Sequence, residues 1–210
     1  MKIYFVRHGE GLDDVYNEYG GWSDRELSPK GIQMAFKISD KLKGFEESFD
    51  AVFTSSLKRS FQTAKVIGEE LNLRVMEEPY LKERNTYGLL SGVNIDIAED
   101  DYPDMVKQFN DGRYIPAAER YEDFVHRVKV LIDYLQTKKY ENIICVTHGH
   151  IITVIAEEFL GLVRDRIENG CILVVEITQG QIKVIYQSGL TFCDAKSVSK
   201  VRQRMKFKSD

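Results

Sequence analysis

An arginine and a histidine stand side by side at positions 7 and 8, directly after the apolar run Ile3-Tyr4-Phe5-Val6 and directly before Gly9-Glu10. A neutral imidazole carries a lone pair able to attack phosphorus, and a guanidinium beside it can hold two phosphoryl oxygens at once. The preceding run has the composition of a strand buried on both faces. Arg7 and His8 therefore fall at its carboxyl end, the edge at which open α/β sheets bind ligands. The pair points to transfer of a phosphoryl group onto His8.

Other groups suited to that chemistry follow at long intervals. Arg59 comes after the strand-like run Ala51-Val52-Phe53-Thr54, in the first turn of a helix expected over 57–71, where backbone N–H groups already favour anions. Glu83 lies in a polar loop over 78–94, and His148 follows a third strand-like run, Ile143-Ile144-Cys145-Val146-Thr147. Arg-His-Gly-Glu at 7–10, Ser-Ser-Leu-Lys-Arg-Ser-Phe-Gln-Thr-Ala at 55–64 and Thr-His-Gly at 147–149, in that order, resemble the histidine phosphatase superfamily, also called phosphoglycerate-mutase-like, over residues 3–187.

The resemblance implies a phosphomonoester hydrolase of the phosphatase branch, a histidine acid phosphatase-type enzyme. It would act through a phosphohistidine on a small phosphorylated metabolite, with neither cofactor nor metal. In that scheme His8 is the nucleophile, and Arg7 and Arg59 bind the phosphoryl oxygens. His148 donates a hydrogen bond to the phosphoryl group, and Glu83 is the general acid and then the base that activates water. Gly9 and Gly149 are expected to let the backbone approach closely at the pocket floor. Asn169-Gly170-Cys171 is expected to form the loop closing that floor, and Glu119, Asp123 and Arg127 to supply supporting ion pairs. Mutases of the family carry an added basic segment that shields the phosphohistidine from water. Here residues 93–118 hold only Lys107 and Arg113 as basic residues, which favours hydrolysis. The alternatives are a cofactor-dependent phosphoglycerate-type mutase and a non-catalytic phosphate-binding module.

Two departures from the family pattern bear on the site. One extra residue separates Glu83 from Tyr87-Gly88, which either displaces Glu83 or is absorbed by an outward bulge. Where many members place a phosphate-binding asparagine six residues past the nucleophile, this chain has Asp14. Either Asn17 takes that part, or Asp13 and Asp14 point outward to select the rest of the substrate. His150 is expected to be structural or at the pocket rim. His148-x-His150 is also a metal-type spacing on a strand, but no carboxylate cluster accompanies it.

Positioning these groups requires strands alternating with helices. Ser28-Pro29 opens a helix to Lys43, a capping residue followed by proline in the first turn. Further elements are expected as a strand over 74–76, an interrupted helical stretch over 95–110, helices over 120–136 and 151–160, and two late strands over 172–178 and 181–186. The fold class is α/β: a three-layer sandwich with a mainly parallel central sheet, helices on both faces and an antiparallel late strand. Residues 1–190 form a single catalytic domain in this reading, and 191–210 a basic C-terminal tail or helix.

At 210 residues, 43% hydrophobic and 30% charged, the chain is long enough for one substantial core. Its net charge of −4 supplies no global field toward nucleic acid or membrane, so an anionic substrate must be drawn by a local cluster. Cys145, Cys171 and Cys193 are scattered and odd in number, as in a cytoplasmic protein with reduced thiols. A first strand beginning at Lys2 leaves no room for a signal peptide. The expected partner is a small phosphorylated substrate, with no nucleic acid and no membrane; a homodimer is left open.

Overall fold

In the computed structural model, which describes residues 1–193, the apolar runs become the middle of one six-stranded sheet. β1 (Lys2–Arg7), β2 (Ala51–Thr54), β3 (Val75–Glu77), β4 (Asn142–Thr147), β5 (Val163–Thr178) and β6 (Gln181–Cys193) lie in the order β3-β2-β4-β1-β5-β6. β1 to β4 run parallel, whereas β5 is antiparallel to β1 and β6 to β5. The expected tail lies, from 194 onward, outside the described residues.

Among the described residues there are seven α-helices: α1 (Leu12–Val15), α2 (Pro29–Lys43), α3 (Lys58–Leu71), α4 (Ile95–Asp101), α5 (Pro103–Asn110), α6 (Tyr121–Gln136) and α7 (Gly149–Val154). Side chains alternate across a strand, so β1 feeds two cores. Ile3 and Phe5 pack with Phe124, Val128, Leu131 and Leu135 of α6 and Ile151 of α7. Tyr4 and Val6 pack with Ile38 and Leu42 of α2 and Ala64 and Ile67 of α3. Burial on both faces is why these strands read as unbroken apolar runs. The expected α/β three-layer arrangement is the one the chain forms. A smaller cluster, Tyr19, Leu90, Ala98, Val106 and Ile115, holds α4 and α5 together. Among the described residues, no helix is long and apolar enough to cross a membrane.

Two elements differ from expectation. The late hairpin starts at Val163 and ends at Cys193, well outside the expected 172–178 and 181–186, so Asn169-Gly170-Cys171 lies inside β5 and not in a loop. Its outer half is charged and exposed, Arg164-Asp165-Arg166, and pairs only with β6, so it carries no alternating pattern to read. The register slips between Ile167 and Ile172, a bulge that bends the strand there. The helix expected over 151–160 begins at Gly149, directly after His148, and continues as a π-turn over Ile155–Phe159.

The exit of β1 is fixed against the start of α2. Ser28 Oγ accepts from Gly31 N (2.9 Å) and donates to Glu10 Oε1 (2.8 Å), while Glu10 Oε2 takes Lys30 Nζ at 2.6 Å. Glu10 is thus committed to the helix cap. The two backbones touch: a Cβ on Gly9 would lie 2.4 Å from Gly31 O, and one on Gly31 would lie 2.0 Å from Glu10 O. At Gly149, by contrast, a Cβ would meet only Arg7 at 3.8 Å, an ordinary contact, so the expected close approach holds at Gly9 and not at Gly149. Gly31→Ala should therefore lower stability by roughly 1–3 kcal/mol through overpacking. The check is the urea-unfolding midpoint at unchanged slope.

Candidate active site

Parallel register brings three strand ends to one level. Arg7 pairs with Thr147, and Thr54 with Val146. The ladder runs one residue further on both sides, His8 N donating to Thr147 O (3.0 Å) and Ser55 N to Val146 O (3.1 Å). Arg7-His8, Ser55 and His148 consequently meet at the carboxyl edge of β1, β2 and β4. Arg59, in the first turn of α3, is buried beside them.

His8 is buried, and its Nδ1 lies 2.6 Å from Gly9 O. A carbonyl only accepts, so the proton sits on Nδ1 and Nε2 keeps its lone pair. That nitrogen accepts the Arg59 Nε–H at 3.0 Å. Burial first, then the charges of Arg59, His148 and Arg7, hold the His8 pKa well below the ordinary range, so the imidazole is neutral. The His8 and His148 rings face each other edge to face at 4.9 Å.

His148 is fully buried with Nε2 2.8 Å from Ser55 Oγ. Ser55 Oγ already accepts from Leu57 N (3.2 Å), and among the described residues the partner left for its own proton is His148 Nε2. This assigns the His148 proton to Nδ1, a buried atom with no partner among the described residues. Arg7 presents a second such donor: Nη1 is bound to Ile167 O (3.0 Å), but its buried Nε is unpaired. Two orphaned N–H groups beside a neutral imidazole suit a phosphoryl oxygen. Burial, then Arg59, also holds His148 well below the ordinary imidazole pKa.

Arg59 ties this edge to the first loop. Nη2 donates to Gly21 O (3.0 Å), Nη1 donates to Ser23 O, and Asp13 Oδ2 lies 3.7 Å from Nη1. Asp13 therefore points inward, unlike the alternative in which Asp13 and Asp14 both face outward. The short α1 turns it there, and Gly11 makes the room, since a Cβ at Gly11 would lie 2.0 Å from Asp13 Oδ1. Burial pushes the Asp13 pKa up despite Arg59. Asp14 does face outward, with Oδ2 3.2 Å from Asn169 Nδ2. Asn17 is exposed at φ 53, and no hydrogen bond brings its side chain to the cluster among the described residues.

Glu83 reaches the site from the loop after β3. Its backbone is held by Arg127 of α6, which forks onto Glu119 through Nε and Nη2 (both 2.9 Å) and donates to Tyr80 O, Lys82 O and Glu83 O (2.8, 2.7 and 3.3 Å). Trp22 Nε1 adds a bond to Glu83 O at 2.7 Å. The chain turns back just after Glu83: Thr86 N donates to Arg84 O (2.9 Å), and buried Asn85 bonds Ala117 O and Ser91 Oγ. Glu83 stays buried, with Oε1 accepting from Arg84 N at 2.8 Å and Oε2 from His150 N at 3.4 Å. His150 Nδ1 stands 3.4 Å from Oε1. Burial raises the Glu83 pKa, but His150, His148 and the Arg84 N–H together draw it well below the usual carboxylate range.

Sequence reasoning missed three residues: Asp13 as a buried partner of Arg59, Ser55 as the partner of His148, and His150 as the partner of Glu83. Ser55 was within reach of that reasoning, because it stands one residue beyond β2 just as His148 stands one beyond β4. The metal spacing His148-x-His150 does not apply, because the chain turns helical at Gly149 and sends the two rings to different partners. Among the described residues, no group of three His, Cys, Asp or Glu side chains could hold a metal ion.

Comparison with known proteins bears on the family and the fold. The model of the histidine phosphatase superfamily (branch 1) matches residues 3–188. The adenosylcobalamin/alpha-ribazole phosphatase of Escherichia coli (strain K12) is 27% identical over 187 residues, covering 85% of this chain and 91% of that protein. A 2,3-bisphosphoglycerate-dependent phosphoglycerate mutase of Nautilia profundicola is 39% identical over 99 residues, only 45% of this chain and 42% of the mutase. The crystal structure of the alpha-ribazole phosphatase from Shigella flexneri superposes with a TM-score of 0.76 at 26% identity, covering 89% of this chain and 96% of that one.

The two buried imidazoles make stability depend on pH. Below the ordinary histidine value of 6.5 the unfolded chain binds protons that folded His8 and His148 refuse. Stability should thus fall as pH drops, by up to about 1.4 kcal/mol per pH unit for each histidine. Glu83, lowered on folding, acts in the same direction at lower pH; Asp13, raised on folding, partly offsets it. Urea unfolding at pH 7, 6 and 5 checks this, with His8→Asn expected to flatten the slope.

Proposed function

The chain belongs to the histidine phosphatase superfamily (branch 1), and from that premise we propose that it is a phosphatase, hydrolysing the phosphomonoester of a small metabolite through a phosphohistidine on His8. The observation that carries this reading is the state of His8: neutral, protonated at Nδ1, its Nε2 lone pair directed at Arg59 3.0 Å away. A substrate phosphoryl group takes the place of that lone pair's partner. Nε2 attacks in line, the P–N bond forms as the ester P–O bond breaks, and the Arg59 N–H moves onto a phosphoryl oxygen. Arg7 Nε and His148 Nδ1 supply further donors where charge develops. Glu83 gives a proton to the leaving oxygen, then takes one from the water that cleaves P–N. Gly9 and Gly149 serve as backbone at the floor of this site, and Asn17, away from the cluster, can reach only the far part of a substrate.

Hydrolysis is favoured over mutase chemistry because residues 93–118 hold only Lys107 and Arg113 as basic residues, and the phosphatase relative is matched over 91% of its length. The names of those phosphatases make α-ribazole phosphate the first substrate to assay, followed by a panel of metabolite phosphates. Residues 1–190 act as one catalytic domain, of the histidine acid phosphatase type, with no metal in the cycle. Three cysteines outside any disulfide fit a cytoplasmic enzyme.

His8→Ala should reduce p-nitrophenyl phosphate hydrolysis to background. It should also abolish an acid-labile, alkali-stable protein label from radioactive substrate, which wild-type protein retains on rapid quenching. Arg59→Ala should cost about 10²–10³-fold in kcat/KM. Turnover surviving in His8→Ala contradicts the reading, and vanadate binding without turnover in the wild type favours a binding module.

A further inference from the structure

We propose that His150 is the proton relay of Glu83, carrying the proton between the buried carboxyl and solvent in each half of the reaction. The inference rests on the reading of Glu83 as acid and base. A residue that does both must be loaded with a proton before the first step and relieved of one after the second. Glu83 is poorly placed to do this alone. Its side chain is 11% exposed, and two of its contacts, Arg84 N on Oε1 and His150 N on Oε2, are backbone donors that cannot change protonation.

The titratable and charged side chains around it are few, and most are committed. His148 is fully buried with Nε2 on Ser55 and Nδ1 toward the phosphoryl position. Arg127 is spent on Glu119 and backbone carbonyls. The Arg84 side chain is directed to Glu119 O and lies over the Tyr121 ring. Among the described residues, His150 is the titratable side chain in an ion-pair contact with Glu83 that also reaches solvent: its Nδ1 is 3.4 Å from Glu83 Oε1, and its side chain is 39% exposed. Phe124 backs the ring edge-on at 6.5 Å, which limits where it can swing. Imidazole is also the side chain best suited to pass a proton near neutrality, and hydrogen bonds of this kind tighten in the substrate complex.

The protons balance through one cycle. The cycle starts from one proton shared between His150 Nδ1 and Glu83 Oε1. With substrate bound, Nδ1 passes its proton to Oε1, and Glu83 delivers it to the ester oxygen as P–O breaks and P–N forms. Water then attacks phosphorus as the P–N bond to His8 breaks, Glu83 takes one of the water's protons, and that proton returns to His150 as phosphate leaves. One proton goes to the alcohol and one comes from water.

The test is single-turnover leaving-group release from an alkyl phosphate and from p-nitrophenyl phosphate, for wild type, His150→Ala and His150→Gln. Glutamine keeps an N–H able to reach Oε1 but cannot relay a proton. Both variants should lose about 10²-fold on the alkyl phosphate, at unchanged KM, and far less on p-nitrophenyl phosphate, whose leaving group needs little protonation. Added imidazole should restore the alanine variant and not the glutamine one. Wild-type rates in His150→Gln would reduce His150 to a hydrogen-bonding support and overturn the relay. So would an equal loss on both substrates without imidazole rescue. His8→Ala run alongside separates the two levels, since turnover there overturns the phosphohistidine reading and the relay with it.

Discussion

Everything at the site depends on the parallel register of β1, β2 and β4. Residues separated by almost the whole chain become neighbours because three buried strands end at the same height, with His8 N on Thr147 O and Ser55 N on Val146 O extending the ladder past the last paired residues. A shift by one residue would turn every side chain of a strand to its opposite face. The two separate cores on either side of β1, one with α6 and α7 and one with α2 and α3, make such a shift prohibitive. The packing that stabilises the protein is therefore the same packing that aligns the imidazoles.

Charge is arranged to be tolerable before any substrate arrives. A buried guanidinium is costly unless its donors are satisfied, and Arg59 distributes them over His8, Ser23 O and Gly21 O, with Asp13 3.7 Å away. These contacts also fold the first loop onto the sheet edge. The contact with His8 and the closure of the first loop thus share one side chain, and Asp13 beside it offsets part of the positive charge that Arg7 and Arg59 bring.

Much of this was legible in the amino-acid sequence. Arg7, His8, Arg59 and His148 sit at strand ends or in a helix's first turn, and such positions are recognisable because buried strands give unbroken apolar runs and helices give spaced ones. The outer half of β5 was not legible: its charged residues answer only to β6, and a ladder between two solvated segments leaves no hydrophobic trace. Asp13 and Asp14 could not be told apart either. Which of two adjacent carboxylates turns inward depends on a one-turn helix and on the space left by Gly11. The metal alternative for His148-x-His150 assumed a strand's geometry, although the chain becomes helical one residue before His150.

The grip of Arg127 on the acid loop has a consequence for how such an enzyme can diversify. Because α6 holds the backbone carbonyls of Tyr80, Lys82 and Glu83, the loop is anchored upstream of the residues that follow. The turn after Glu83 is local, Thr86 N on Arg84 O, and the carboxyl stays buried. Segments beyond it can be lengthened, exchanged or refolded while Glu83 keeps its station, so the rim of the cluster and its buried floor can evolve on separate parts of the chain.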